Sequence, residues 1–379
     1  MTRIPLFPRR DACLERRDAG LEPGAVDPRH VRPVPGDERS DRERLHHVTV
    51  GERAACRTTC TVDGPYAPAV DLVRPSADRL DDALAVLQAS EIAVYGDSDW
   101  TAHELREEWA GLDVERDAWL VTIDGRVAGV AHLLEQKRGR FLGDAYVHPE
   151  LTGRGVGTRL LESLEERVRE LRPEWPDGVR IVLQSAHLVG DVRAPSLFAG
   201  RGFEYARSFF RMVIDVTEPQ PDPVWPDGVE LRPLEPDRDG PMLYAAEIEA
   251  FSEEWDYVAL DYDAWRRRAF GPSGFDPGLA PVVWAGDEVV AFSRNYAKRH
   301  GDWGFVGTLG VRPAWRRRGL GLALLRESFR RFRETGETTV ALGVDVDNPT
   351  GATRLYERAG MHVLWQADVW QKELRAAAG

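Results

Sequence analysis

The chain has 379 residues, of which 42% are hydrophobic and 30% charged, with a formal net charge of −13 and a pI near 5.3. This is the composition of an ordinary globular protein, and it leaves out several classes: no apolar run reaches the length of a membrane span, no hydrophobic signal core opens the chain, and an acidic balance without a basic face argues against nucleic acid as a ligand. Cytoplasmic residence is the expectation, and the negative charge suits a cationic small molecule by steering as well as it suits solubility.

In chain order, residues 1–66 mix arginine, aspartate, glutamate and proline without periodicity and read as a disordered tail. The cysteines (Cys13, Cys56, Cys60) all fall there, too few for a disulfide framework and without the histidine pair of a zinc site. No H-E-x-x-H or similar ligand spacing occurs, so no metal is expected. Val70 to Pro75 reads as a first strand, and Asp124-Gly125 between two apolar runs reads as a hairpin turn. A strand-like run, Phe141 to Val147, leads into Gly153-Arg154-Gly155-Val156-Gly157. Beyond it Leu160, Leu161, Leu164, Val168 and Leu171 share one helical stripe.

Residues 218–228 carry four prolines in a stretch that can continue neither a helix nor a central strand, and read as a linker. After it the landmarks return. Val229 to Pro233 answers Val70 to Pro75, Gly286-Asp287 answers the first hairpin, and Phe305 to Val311 leads into Arg316-Arg317-Arg318-Gly319-Leu320-Gly321. A helix pattern from Leu322 follows, with Leu325, Phe329 and Phe332 on its apolar face. A nearly constant spacing between paired landmarks is the mark of a tandem duplication. The expectation is an α+β protein of two similar domains, 67–217 and 229–379, each a mixed, mostly antiparallel twisted sheet flanked by helices.

The second glycine loop is the most informative stretch. A strand feeding a glycine turn that opens a helix can hold a phosphate, because free N–H groups of the first helical turn and the helix dipole both favour an anion there. Arg316, Arg317 and Arg318 add fixed charge. A Walker loop would continue with Lys-Ser or Lys-Thr, whereas Leu322-Ala323 follows, and a dinucleotide fingerprint would need a third glycine. Downstream, Leu342 to Asn348 alternates like a strand, and Asn348 to Gly360 reads as a short helix ending at a glycine.

Arg316-x-x-Gly319-x-Gly321 together with Asn348, Ala352, Leu355-Tyr356-Glu357 and Gly360 resembles the acetyl-CoA signature of the GNAT superfamily of N-acyltransferases. The doubled arrangement is similar to that of the mycothiol synthases, a tandem GNAT group in which the C-terminal half carries the activity. The resemblance implies acetyl-CoA as cosubstrate and a small-molecule amine as acceptor. It implies Tyr356 as general acid toward the departing thiol, backbone contacts from Leu309, Gly310 and Val311 to pantetheine, a pyrophosphate loop of Arg316 to Gly321, and Asn348 beside the pantetheine arm. For Asn348 the alternative is an N-cap of the helix beginning at Pro349. Glu253, Glu254, Trp255 and Asp256 fall where the family shapes its acceptor pocket, with the general base not readable among them.

The first half departs from the pattern. Phe198 stands in place of Tyr356, Thr152 in place of Arg316, and no asparagine matches Asn348. Val147, Gly153, Arg154, Gly155, Val156 and Gly157 form a possible second cofactor site, but the favoured reading of this half is a scaffold without catalysis. The rival to an enzyme is an acyl-CoA sensor or partner-binding module that transfers nothing. Acceptor identity and oligomeric state are not readable.

Overall fold

A computed structural model describes residues 70–76, 79–98, 100–110, 112–137, 139–254, 257, 259–271, 275–300, 303–348 and 350–376. The expected tail at 1–66 with its cysteines, and the acceptor candidates Trp255 and Asp256, lie outside the described residues.

The first half runs β1 (Val70–Val73), α1 (Leu80–Tyr95), α2 (Ala102–Ala110), α3 (Val114–Asp117), β2 (Ala118–Ile123), β3 (Arg126–Lys137), β4 (Arg140–Val147), α4 (Val156–Leu171), β5 (Ile181–Leu188), α5 (Ala194–Gly200) and β6 (Glu204–Asp215). The second runs β7 (Glu230–Arg232), α6 (Pro236–Phe251), α7 (Tyr262–Phe270), β8 (Val282–Ala285), β9 (Glu288–His300), β10 (Trp303–Val311), α8 (Leu320–Glu334), β11 (Thr339–Asp345), α9 (Ala352–Arg358) and β12 (His362–Arg375).

Local sequence explains most boundaries. Asp124 and Gly125 take φ of 50° and 80°, the left-handed pair that a two-residue hairpin between β2 and β3 requires. α8 begins at Leu320, earlier than the expected Leu322, because Gly319 at φ 89° turns the chain into the helix and serves as its N-cap. The stripe on α4 is the core of the first half: Leu160, Leu161, Leu164 and Val168 are fully buried. Leu325, Phe329 and Phe332 do the same on α8. The proline-rich segment before β7 is docked rather than loose. Trp225 packs on the cluster formed by Leu320, Leu324 and Val290, and Arg326 donates to the Asp222 carbonyl at 3.3 Å. Among the described residues no helix is long and apolar enough to cross a membrane.

The twelve strands form one mixed sheet in the order β1-β2-β3-β4-β5-β12-β6-β11-β10-β9-β8-β7. Among the described residues only β4 with β5 and β10 with β11 run parallel. The centre of this order is crossed: β12 lies against β5, and β6 lies against β11, so the last strand of each half completes the sheet of the other. Met212, Ala367 and Val369 are buried along that seam.

Ion pairs clasp the exchanged β12 to the first half. Lys372 Nζ lies 2.8 Å from Glu165 on α4 and donates to the Arg201 carbonyl at 2.6 Å, and Arg180 pairs with Glu373 at 2.6 Å. Glu165, 1% exposed, also holds Arg169 and Arg201. Although burial alone works against ionisation, these cations hold the Glu165 carboxyl below its ordinary value. A depressed carboxylate contributes stability that is present above its unfolded pKa and is lost as pH falls through the folded one. Glu165→Gln is therefore expected to destabilise by about 2 kcal/mol at neutral pH, less than for a fully buried pair because Lys372 and Arg201 can still reach water. Urea unfolding at pH 7 and at pH 3 checks it: the gap between wild type and variant should narrow at the lower pH.

Candidate active site

β10 and β11 pair only from Trp303 with Thr339 to Phe305 with Ala341, then separate. Beyond Phe305 the β11 side of β10 is open, so Leu309, Gly310 and Val311 are paired to β9 alone. Apart from the Val311 carbonyl, which accepts from Arg316 Nε at 3.3 Å, this edge has no strand partner among the described residues and is what an added, strand-like ligand arm would use. The parting coincides with a bulge. The β9 ladder skips Gly307 between Val306 and Thr308, where a Cβ would sit 2.4 Å from the Tyr296 ring. In the first half β4 leaves β5 in the same way after Leu142, but its ladder with β3 runs regularly from Val147 to Phe141 with no bulge at Gly143.

The glycine loop sits at the mouth of this parting. The first intrahelical bond of α8 runs from the N–H of Ala323 to the Gly319 carbonyl at 3.1 Å, which leaves the N–H groups of Leu320, Gly321 and Leu322 without helical acceptors. A Cβ on Gly319 would meet nothing within 4 Å, so that side of the loop is open. Gly321 is small for a different reason, since a Cβ there would come 2.9 Å from Leu355 of α9. Arg317 is held at φ 62°, where the first half has Gly153 at 76°. It is exposed and makes no hydrogen bond or ion pair among the described residues. Arg318 lies over the Trp315 ring and donates to the Ala314 carbonyl. Arg316 is engaged within the fold: it pairs with Glu253 at 2.7 Å and donates to the carbonyls of Ala250 and Val311, tying the loop to the end of α6.

Tyr356 reaches the same region from α9. Its ring is buried and its hydroxyl makes no hydrogen bond among the described residues. Burial, with the charge of Glu254 behind it, pushes the phenol well above its usual range. Glu254 stands three residues past α6 and is pushed above the ordinary carboxylate range, first by burial and also by Asp345, with Asn348 and Arg316 opposing. Asn348 Nδ2 donates to Glu254 at 3.3 Å. The N-cap alternative for Asn348 is corrected: α9 begins only at Ala352, capped by Gly351 at φ 71°, while Asn348 Oδ1 accepts from the Thr350 N–H at 2.9 Å in a local turn. Glu253 and Glu254, Arg316, Asn348 and Tyr356 thus converge from four separate stretches of sequence.

A buried ion pair that sequence reading missed lies beside the bulge. Arg294 of β9 meets Glu247 of α6 at 2.7 Å and Thr308 of β10 at 2.8 Å, with both charged side chains 7% exposed. β9 is buried without interruption from Val289 to Tyr296, so an arginine within it has to be paired inside the fold. In the first half the matching strands carry His132 and Asp144, 3.5 Å apart, with Glu108 3.8 Å from the histidine. On the other face of that half, Phe198, His187 and Trp370 of the exchanged β12 stack together, with ring centroids 5.7 to 6.4 Å apart. Aromatic rings therefore fill the place that corresponds to Tyr356.

A family model described as the acetyltransferase (GNAT) family matches residues 82–182 and 241–361, more than half of the chain. The chain belongs to the GNAT acetyltransferase family. A mycothiol acetyltransferase from Thermobispora bispora is 33% identical over 298 residues, covering 76% of this chain and 95% of that one. One from Geodermatophilus obscurus is 31% identical over 309 residues, covering 77% and 95%. Among solved structures, a GCN5-related N-acetyltransferase from Sphaerobacter thermophilus superposes with a TM-score of 0.74 at 29% identity, covering 82% of this chain and 97% of that one. A tandem GNAT protein from the clavulanic acid biosynthesis pathway shares the fold, with a TM-score of 0.63 at 16% identity over 82% and 100% of the chains. This GNAT protein is an acyltransferase of two tandem α+β domains, as its doubled landmarks implied, and its family uses acetyl-CoA.

Proposed function

We propose that this GNAT enzyme transfers acetyl from acetyl-CoA to the primary amine of a small molecule, in the cleft where β10 parts from β11. The repeats are taken as 67–217 and 229–379, joined by 218–228, with chemistry in the second. The observation that carries the reading is an open helix N-terminus at that parting, beside Glu254 held by Asn348 at 3.3 Å and a buried Tyr356 close enough to feel the charge of Glu254. Pyrophosphate would lie on the N–H groups after Gly319 with Arg317 and Arg318 nearby, and pantetheine along Leu309, Gly310 and Val311. Arg316 would act by holding the loop.

The proton balance closes with two side chains. An ammonium acceptor gives one proton to Glu254, whose raised pKa suits it to that role. The free amine attacks the thioester carbonyl, and a backbone N–H of the bulged β10 can stabilise the oxyanion. As the intermediate collapses the C–S bond breaks, Tyr356 protonates sulfur, and the amide nitrogen loses its remaining excess proton to the phenolate through solvent. Once Glu254 is neutral its charge no longer raises the phenol, so Tyr356 becomes a better acid as the thiolate leaves. Products are amide, CoA thiol and the proton held by Glu254.

The mycothiol acetyltransferase relatives support a small-molecule acceptor and a transferase rather than a sensor that transfers nothing. The first half reads as a scaffold, supported by its Phe198, His187 and Trp370 stack. The deciding experiment is calorimetric titration with acetyl-CoA of wild type, Gly155→Asp and Gly319→Asp. Both glycines are left-handed with open space around them, and aspartate tolerates that conformation while placing a carboxylate in the anion site. One site in the wild type, lost only in Gly319→Asp, is expected. Two sites would make the first half a cofactor holder, and no binding would overturn the transferase reading.

A further inference from the structure

One buried ion pair takes no part in the proton movements just described. Glu247 and Arg294 are each 7% exposed, where α6 lies against β9 and β10. Two further pairs tie the same end of α6 to the segment after β10, Glu249 with Arg312 and Glu253 with Arg316, but their carboxylates are 40% and 64% exposed and water screens them. A buried pair is costly to desolvate, and an apolar pair of similar size would hold the helix down as well. What an apolar pair cannot supply is direction.

The guanidinium of Arg294 is directed at two partners. Nη1 donates to Glu247 at 2.7 Å and Nη2 to the Thr308 hydroxyl oxygen at 2.8 Å. Thr308 is the second residue of the bulge, since Gly307 and Thr308 together stand against Arg294 between the pairs of Val306 with Asn295 and Leu309 with Ser293. A bulge loosens the ladder locally, and the planar fork of the arginine grips it from the side. α6 lies on the strand just beyond, where a Cβ on Gly310 would come 3.2 Å from the Phe251 ring.

The bulge sets the direction of the next residue. Ser293 donates its N–H to the Pro281 carbonyl at 2.9 Å, just before β8, so in the pair of Leu309 with Ser293 the two backbones turn away from each other. The Leu309 N–H therefore faces the open edge, on the side where the Val311 carbonyl accepts from Arg316. Arg294 thus joins the helix whose end leads to Glu254 with the strand whose N–H faces the parting.

The first half repeats these positions without the tie. Glu91 stands at the same step of α1 as Glu247 of α6, but it accepts from Ser98 Oγ at 2.8 Å and from Trp100 Nε1 at 3.1 Å, in the chain that follows the helix. His132 and Asp144 face each other across β3 and β4 as Arg294 and Thr308 do across β9 and β10, and they meet one another and Glu108 of α2. The ladder through them is regular. Fork and bulge occur together in one half, and neither occurs among the described residues of the other.

We infer that Arg294 is a positioning residue for the bound thioester: anchored on Glu247, it holds the Thr308 hydroxyl and with it the bulge, so that the Leu309 N–H points at the thioester carbonyl. This rests on the transfer reading for what fills the cleft, but polarisation of that carbonyl can be read without any transfer.

Replacing Arg294 by an apolar residue would strand Glu247 in the core, so the test acts mainly on Thr308. Thr308→Val removes the hydroxyl at nearly constant shape, whereas Thr308→Ser keeps it and gives up a methyl group. Arg294→Lys keeps a charge beside Glu247 but replaces the fork by a single ammonium. The full chain is loaded with acetyl-CoA carrying carbon-13 at the thioester carbonyl, and isotope-edited infrared spectra record the bound band. In wild type the band is expected below that of acetyl-CoA in water. Thr308→Val and Arg294→Lys should lose most of that shift and about tenfold in CoA release with the fastest acceptor among 1,3-diaminopropane, ethanolamine, glucosamine and L-serine amide, with affinity for acetyl-CoA kept. Thr308→Ser should keep both shift and rate. Packing alone predicts the reverse order, because serine leaves a methyl-sized gap and valine none. An unshifted band in wild type, the wild-type band in Thr308→Val or Arg294→Lys, or a loss in Thr308→Ser as large as in Thr308→Val overturns the assignment. If the shift depends on the hydroxyl yet none of the amines releases CoA, the transfer reading falls and the positioning of the thioester stands. Transfer at the wild-type rate with an unchanged band in Thr308→Val removes the positioning role and leaves transfer.

Discussion

Glu254→Gln is expected to lower kcat/KM by about two to three orders of magnitude at neutral pH, the range for loss of a positioned general base. Glutamine keeps an oxygen for Asn348 Nδ2, so the hydrogen bond at 3.3 Å can persist and the loss reports on proton transfer rather than on the cleft. The pH profile carries the sharper test. In the wild type the base must be ionised, and its pKa is raised, so kcat/KM should fall as pH drops through a value above the ordinary glutamate range. The variant has no carboxyl there and should lose that limb. A profile with the same acid limb in both proteins would assign the base elsewhere, with Glu253 the next group to test. CoA release followed from pH 5 to 9 gives both curves.

Tyr356→Phe is expected to reduce turnover by more than tenfold, and on the order of a hundredfold where departure of the thiolate limits the rate, with affinity for acetyl-CoA kept. The first half indicates that the packing will tolerate it, because Phe198 occupies the matching place at 5% exposure against 6% for Tyr356. The phenol's hydrogen-bond freedom means that no partner is stranded by its removal. Single-turnover rates with calorimetry on the same samples separate chemistry from binding. Equal turnover would take Tyr356 out of the mechanism while leaving Glu254 in it.

The two variants are coupled if the proposed order of proton movements holds. Glu254 contributes to the elevation of the Tyr356 phenol, so a neutral glutamine should leave that phenol less elevated. The double variant should then lose less than the product of the two single losses, the non-additivity of groups that act as a unit.

Much of this protein is written in local sequence. The duplication, the loop glycines, the stripes of α4 and α8 and the Leu355-Tyr356 segment follow from backbone rules and side-chain periodicity, which act over a few residues and leave a readable pattern. Asp124-Gly125 makes a hairpin wherever it stands between two strands, and Gly319 must be glycine or nearly so because its φ is left-handed. The GNAT resemblance rests on such stretches.

Tertiary structure alone decided who pairs with whom. Main-chain ladders do not depend on side-chain identity, so nothing local tells β12 to lie on β5 or β6 on β11. Packing along the seam, the hold of Glu165 on Lys372 and chain connectivity settle it. The same exchange brings Arg207 to Asp345 across 138 positions of sequence. Charges such as Glu247 and Arg294 read in isolation as a solvated face. Only the fold buries them side by side, where each makes the other tolerable away from water.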